Sequence, residues 1–401
     1  MRLRDQLREL PAPAWTLFAG TFINRFGGFV VPMLAIYLTR HGYSAAQAGV
    51  AMGTYGVGHL IASSAGGHLA DRIGRRNTIV ISMFSSAAAM LALSQARSYP
   101  AILICTMIAG ATTEMYRPAS YALIGDIVPD QHRVIAFGLY RFAVNLGVAF
   151  GPATAGFLAD KSFIYCFVGD AATSVIYGIF AIFALPQGLK TYEKTERTGE
   201  AIRSALSNSR VVWFLAAAVL AASVDFQMTS TLALHITKLG YKPVVYGAMV
   251  SLNGLLIVLF EIVITARVQH FNPQPVIAIG YALNGIGFAL AGFAHTIPML
   301  VSTTVLWTLA EMLYSPMAGP YLIRIAPEKY RGRYMGLLVL MWSIGYIIGP
   351  VAGTWLFARN EALLWTMCLV FGGVSTVLVM RRYEKNVAPP PSAAPSENLK
   401  S

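Results

Sequence analysis

The sequence predicts an all-α membrane protein built as two similar six-helix bundles. Three observations carry this. The first is composition. Of 401 residues, 56% are hydrophobic and only 12% charged, at a mean hydropathy of +0.58. A water-soluble surface needs about twice that share of charge, so lipid is the solvent for most of the chain. The second is a series of twelve apolar stretches, each near the roughly 20 residues that cross a bilayer. None alternates like a barrel strand, and backbone groups in lipid must be satisfied internally, which leaves helices. The third is an internal repeat at a constant offset of 198 residues. Gly42-Tyr43 returns as Gly240-Tyr241, Gly49 as Gly247, Pro118 as Pro316, Pro129 as Pro327 and Arg133 as Arg331. Gly138, Gly147 and Gly151-Pro152 return as Gly336, Gly345 and Gly349-Pro350. One architecture used twice implies two bundles about a pseudo-two-fold axis, with a path between them.

The spans follow in order, with approximate edges. The first, 14–38, comes after Arg2, Arg4 and Arg8 and is too long for the apolar core of a signal peptide, so it is a retained span. It holds Asn24, Arg25, Phe26 and Tyr37. The second, 46–69, carries Tyr55 and His59, and a short basic loop leads to the third, 78–95. The fourth, 101–126, has Glu114 and Arg117 just before Pro118, then Tyr121. The fifth, 134–159, is rich in glycine, and the sixth, 163–185, holds Asp170. Residues 186–210 are the only long polar stretch inside the chain. They divide an N-terminal bundle, 1–185, from a C-terminal bundle, 211–380, and read as partly helical at the membrane surface. The seventh span, 211–236, carries Asp225 and Gln227; the eighth, 245–267, carries Glu261. The ninth is 274–294. The tenth, 299–323, carries Trp307, Glu311 and Tyr314. The eleventh, 334–357, repeats the glycines of the fifth, and the twelfth is 362–380. The Pro-, Ser- and Ala-rich tail, 381–401, reads as disordered.

The net charge of +12 raises the question of nucleic acid, and its distribution answers it. Twenty of the 30 basic residues fall before the first span, in alternate loops and after the last span. Six fall in the other loops: Arg40, Arg97, Lys161, Lys238, Lys242 and Arg359. Four, Arg25, Arg117, Arg141 and Arg324, lie inside or at the edge of spans. This is the asymmetry of a plasma membrane protein, here a bacterial inner-membrane one, with both termini cytoplasmic. Cys105, Cys166 and Cys368 sit in three separate spans without metal spacing and read as packing residues. No phosphate-binding loop, metal-ligand spacing or Ser-His-Asp set appears, so the expectation is no enzyme, no cofactor and no metal. The expected form is a monomer whose partners are lipid and a small-molecule substrate.

After the second span the chain reads Gly67-His68-Leu69-Ala70-Asp71-Arg72-Ile73-Gly74-Arg75-Arg76. This resembles the signature loop of the major facilitator superfamily, with Arg in place of Lys at 76. In that family the loop is a cytoplasmic latch favouring the outward-facing state. The resemblance assigns that role to Gly67, Asp71, Arg72, Gly74, Arg75 and Arg76. Asp71 is the residue able to meet a helix N-terminus of the other half. The matching loop of the second half, 266–273, has lost the Asp and the Gly pair. The fifth span, with Gly138, Gly147, Gly151, Pro152 and Gly156, looks like the hinge motif of the drug:proton antiporter branch, with Ala155 for one Gly. Its echo at Gly345, Gly349 and Pro350 leaves open whether the motif marks antiport or fold architecture. The fourth span departs from the family, because Thr106 stands where a basic residue is usual.

The family lines its cavity with the first, fourth, seventh and tenth spans. Arg25, Glu114, Arg117, Asp225 and Glu311 fall on those spans. Charges in lipid are costly and face cavities or partners. The resemblance therefore points to proton coupling by Glu114, Arg117, Asp225 and Glu311. Asn24, Arg25, Tyr37, Tyr55, Tyr121, Gln227, Trp307 and Tyr314 are expected around the substrate. Spacing also allows a purely structural Glu114–Arg117 pair, and Arg25 with Asp225 is a candidate gate across the halves. Asp126, Asp130, Arg133 and Arg141, with Arg324, Glu328 and Arg331, are expected as links between bundles or as solvated loop charges. The reading is a secondary transporter exporting lipophilic or amphiphilic compounds by alternating access, driven by the proton gradient. The alternatives are uptake of an anionic metabolite, or a non-transporting receptor or lipid sensor on the same fold.

Overall fold

The computed structural model describes residues 7–188 and 198–381. Arg2, Arg4, the linker charges Lys190, Lys194 and Arg197, and the expected tail beyond Arg381 lie outside the described residues. The described residues form helices and no strand. The first half runs α1 (Ala12–Phe26), α2 (Val30–Arg40), α3 (Ala45–Ile73), α4 (Arg75–Gln95), α5 (Tyr99–Glu114), α6 (Tyr116–Ile127), α7 (Arg133–Lys161) and α8 (Phe163–Ala184). After α9 (Thr198–Ser207), the second half runs α10 (Ser209–Asp225), α11 (Thr231–Lys238), α12 (Pro243–Val268), α13 (Pro273–Ala291), α14 (Ile297–Ile325), α15 (Arg331–Arg359) and α16 (Glu361–Met380).

By length and apolar composition, nine helices among the described residues can cross a membrane. The count is ten if α9 and α10, which meet at 96°, form one bent span. The sequence leads one to expect twelve. The differences fall where the chain is broken or polar. The 101–126 segment divides at Met115 between α5 and α6, beside Glu114 and Arg117. The seventh segment divides into α10 and α11. The second lies within α3, which ends in His68, Asp71 and Arg72. The first segment is broken as well, between α1 and α2 at Gly27-Gly28, but it still counts as one span, Ala12–Arg40.

Local chemistry explains several boundaries. Ser44 and Gln47 exchange backbone hydrogen bonds in a capping box that starts α3. The turns before α3 and α12 each contain a glycine at positive φ, Gly42 at 87° and Gly240 at 85°, which a side chain disfavours. Pro152 and Pro350 sit inside α7 and α15 at repeat-equivalent positions and remove one backbone hydrogen bond from each.

The halves meet along two seams, α3 on α15 and α7 on α12. In lipid, apolar side chains gain little by meeting each other, so close backbone approach at small residues matters more. A Cβ on Gly254 would stand 2.7 Å from Ala149 N, and one on Gly156 2.6 Å from Val244 Cα. Three apolar cores follow from this. One is shared by both halves and joins Met33, Leu34 and Ile36 of α2 to Leu232 and Ile236 of α11 and Tyr246 of α12. The other two are each confined to one half. The shared core closes the molecule at the end bearing the turns at Gly42 and Gly240. At the opposite end the two remaining cores each belong to one half, and no core shared by both is found there among the described residues. Large apolar residues such as Phe183 (83% exposed) and Ile262 (76% exposed) face outward, as contact with lipid requires.

Candidate functional site

A cavity of ≈ 660 Å³ lies between the halves. Asn24, Arg25, Tyr55, His59, Glu114, Arg117 and Asp170 line it from the first half. Phe226, Met228, Met335, Trp342 and Tyr346 line it from the second. Phe226 stacks on Tyr346 with centroids 4.2 Å apart, and Tyr55 meets the same ring edge-on at 5.9 Å. One wall is therefore aromatic and the other charged.

The charged wall centres on Glu114. Arg25 holds it in a two-pronged grip, Nη1 to Oε1 and Nη2 to Oε2, both 3.0 Å. Arg117 adds Nη1 to Oε2 at 3.1 Å, across the helix break at Met115. His59 Nε2 lies 3.7 Å from the same oxygen. Such paired, planar contacts are the strong form of the interaction. A lone charge mid-membrane costs about 2.5–3.5 kcal/mol or more, and here each charge has an opposite partner. His59 aside, the cluster holds two cations against one anion, so a formal charge of +1 remains at the cavity wall.

The second half is arranged differently. Tyr314 donates its hydroxyl to Asp225 at 2.9 Å. Asn253 donates to Glu311 at 2.9 Å and to Thr308 at 3.2 Å. Among the described residues, no arginine, lysine or histidine forms an ion pair with Asp225 or Glu311. Trp342 stacks on Tyr314 at 6.0 Å and also lines the cavity, so one ring connects this acidic pair to the open space.

Of the residues expected around the substrate, Asn24, Arg25 and Tyr55 line the cavity and five do not. Tyr37 packs on Phe163 and Phe167 beside a separate pocket at the closed end. Tyr121 is half-exposed against Phe137 and Tyr140. Gln227 is buried, its amide donating to the carbonyls of Ser223 and Gly349, both at 2.8 Å. Trp307 is buried against Phe288, and Tyr314 is buried on Asp225. A large aromatic on a lining span turns inward to its own bundle as readily as to the cavity, and periodicity does not separate the two. His59 and Asp170 were visible only as polar residues in lipid. Phe226, Trp342 and Tyr346 carried no signal beyond their place near Asp225 and the repeated glycines.

Two expectations about pairing are corrected. Arg25 does not reach Asp225, because Glu114 of its own half holds it. Among the described residues, Asp71 forms no ion pair with the other half. It pairs with Arg75 one turn on at 2.8 Å, and Arg75 also holds Asp126 at 3.3 Å and the Ala70 carbonyl at 2.9 Å. Of the other loop residues, Gly74 turns the chain into α4 at φ 96°. Arg72 is exposed, and the Arg76 backbone N–H reaches the Gln187 carbonyl at 3.5 Å. Of the residues expected as links or as solvated loop charges, Asp130 pairs with Arg133 at 2.7 Å and Glu328 with Arg331 at 3.4 Å, each within its own half. Arg141 of α7, also expected as a link, does cross, to Glu261 of α12.

Gly147 and Gly151 of the fifth span, with Gly345 and Gly349 of the eleventh, lie directly on the broken helices. A Cβ on Gly151 would stand 2.6 Å from the Phe26 carbonyl, and one on Gly147 2.8 Å from Phe26 N. In the second half, a Cβ on Gly349 would stand 2.7 Å from the Ser223 carbonyl, and Gly345 packs on Ala222. Both hinge sets therefore back the breaks in the first and seventh segments. Pro152 and Pro350 turn their carbonyls toward Gly247 and Gly49 on the inter-half seams.

The sequence profile of the Major Facilitator Superfamily matches residues 17–260 and 237–400. The uncharacterized MFS-type transporter YqjV of Bacillus subtilis is 25% identical over 355 residues, covering 86% of each chain. The Na(+), Li(+), K(+)/H(+) antiporter of Planococcus maritimus is 23% identical, covering 88% of this chain and 90% of its own. Quinolone resistance protein NorA of Staphylococcus aureus (strain COL) is also 23% identical, covering 92% and 96%. Among solved structures, a point mutant of the nucleoside transporter NupG superposes with a TM-score of 0.79 at 15% identity, covering 92% of this chain and 98% of that one. With its all-helical fold, apolar spans and profile match across most of its length, the chain belongs to the Major Facilitator Superfamily and is an integral membrane transporter, not an enzyme.

Proposed function

We propose that this transporter exports lipophilic or amphiphilic small molecules in exchange for protons, by alternating access across a bacterial inner membrane. The proposed orientation puts the open end, with its basic loops, in the cytoplasm. The observation that carries the coupling is the contrast between the buried acids. Glu114 has its charge balanced by two arginines. Asp225 and Glu311 have only neutral donors, so balancing their charge in a low-dielectric site takes a proton or a cation. In this reading Asp225 and Glu311 carry the proton. Trp342, between them and the cavity, relays occupancy by substrate, and Glu114 with Arg25 and Arg117 orients the polar end of the substrate. Names among the relatives, a quinolone resistance protein and a cation/proton antiporter, agree with export driven by protons.

The test is substrate-triggered proton movement in energised everted vesicles, over a panel of lipophilic cations, zwitterions and amphiphilic anions. Collapse of the pH gradient in the parent, reduced at least about tenfold in Asp225→Asn and in Glu311→Gln, is the expected result. Full retention in both, with loss in Glu114→Gln, moves the proton to the first half. A second reading, uptake of an anionic metabolite, has one observation in its favour: the residual +1 charge of the Arg25–Glu114–Arg117 cluster at the cavity wall. Transport that requires a negative group on the substrate and runs inward would establish it.

A further inference from the structure

We propose that Asp170 is a positioning residue of the closed end, capping α2 from across the bundle and holding that helix against the second half. Gly27 and Gly28 interrupt the first span, and the residue before α2, Phe29, has no side-chain oxygen to satisfy the freed backbone donors. The Val30 N–H finds its acceptor on α8 instead, the Asp170 carboxylate at 3.2 Å. A carboxylate at a helix start also meets the positive end of the helix dipole.

What α2 does makes that cap matter. Met33, Leu34 and Ile36 belong to the apolar core shared with α11 and α12, which shuts one end of the cavity. Freeing the start of α2 loosens the first-half side of that closure. Asp170 is itself buried, yet its residue lines the cavity, so occupants of the cavity reach it. Among the described residues it forms no ion pair, unlike Glu114, the other acid of the lining. The second half has no equivalent. The residue 198 positions on is Cys368, and the break between α10 and α11 is bridged by the neutral Gln227. A carboxyl cap is therefore a property of the first half and not of the duplicated architecture.

The proposal rests on the alternating-access reading, but its test measures the gate and not transport. Nitroxide labels at His41 and Lys242, both exposed at the closed end on opposite halves, report their separation by pulsed electron spin resonance. The full chain is used in nanodiscs, with Cys105→Ser, Cys166→Ser and Cys368→Ser. The parent should give one short distance. Asp170→Ala should raise the population of a longer distance about tenfold, the scale of losing a helix cap. Asp170→Asn keeps an acceptor for Val30 and should raise it less. Ser174→Ala, a buried change one turn along α8, should leave the parent distribution. If the alanine variant fails to fold, a rise in the asparagine variant supports the proposal. Parent-like distributions in the folded Asp170 variants, or an equal rise in Ser174→Ala, overturn it. Loss of proton coupling in vesicles bears on the proposed function alone and leaves these distances unchanged.

Discussion

In the first half Glu114 is gripped by Arg25 at 3.0 Å and by Arg117 at 3.1 Å. In the second, Asp225 and Glu311 have a tyrosine hydroxyl and an asparagine amide, each at 2.9 Å. The two halves share span order, the break in their first span and the hinge glycines, yet their acids do not occupy equivalent positions. The repeat places Met312 opposite Glu114, Ser315 opposite Arg117 and Ser223 opposite Arg25. It places Gly27 opposite Asp225 and Thr113 opposite Glu311. Duplication kept the mechanics and reassigned the chemistry. A charge held by two cations is a fixture of the wall. A pair of acids hydrogen-bonded by neutral donors is free to change its state of charge.

The comparison is open to attack at several points. The largest effect should come from Arg25→Ala, which strips the buried Glu114 of its two-pronged partner. A loss of about 3–5 kcal/mol is expected, read as a lower unfolding midpoint of the purified protein in detergent. The double change Arg25→Gln with Glu114→Gln should recover much of it, whereas Asp225→Asn should barely move the midpoint. Equal losses in Arg25→Ala and Asp225→Asn would erase the distinction between the halves.

Next in size are the hinge glycines, where the halves should agree. Gly151→Leu and Gly349→Leu both force a side chain onto a carbonyl at the helix break, and overpacking of this kind costs about 1–3 kcal/mol. Matching losses in thermal unfolding sharpen the view of a shared mechanical frame. A strong effect in one half only would end it. The smallest effect belongs to the loop acids. Asp130 and Glu328 are 86% and 87% exposed, so Asp130→Asn and Glu328→Gln should each change stability by less than about 1 kcal/mol. Transport rates shifted severalfold by either change would restore a role for them between the bundles.

Most of the frame was legible in the sequence because its causes are local or periodic. Apolar stretches of span length, turn glycines and the 198-residue repeat all act along the chain. The site was legible only in part. Glu114 and Arg25 announced themselves as charges in lipid, but their pairing depends on how α1 packs against α5 and α6, which spacing does not encode. Both Arg25 and Asp225 sit on lining spans, which made them look like partners. The fold instead gives Asp225 to Tyr314 and turns Arg25 toward Glu114. Asp71 matched a motif letter by letter, yet its partner here, Arg75, lies one turn away in the same motif. Tyr37, Trp307 and Tyr121 show the weakness of aromatic residues as markers, since their rings satisfy either a bundle core or a cavity.

Gly42 and Gly240, with φ of 87° and 85°, carry a consequence for the history of the chain. After duplication each copy was free to drift, and nearly every charge that matters did. These two turns did not, because a side chain there would strain the backbone in both copies alike. Where the copies still agree, they mark demands of geometry that no later specialisation could relax. Where they disagree, as at Asp170 and Cys368, they mark the places at which one ancestral bundle took up a task the other left behind.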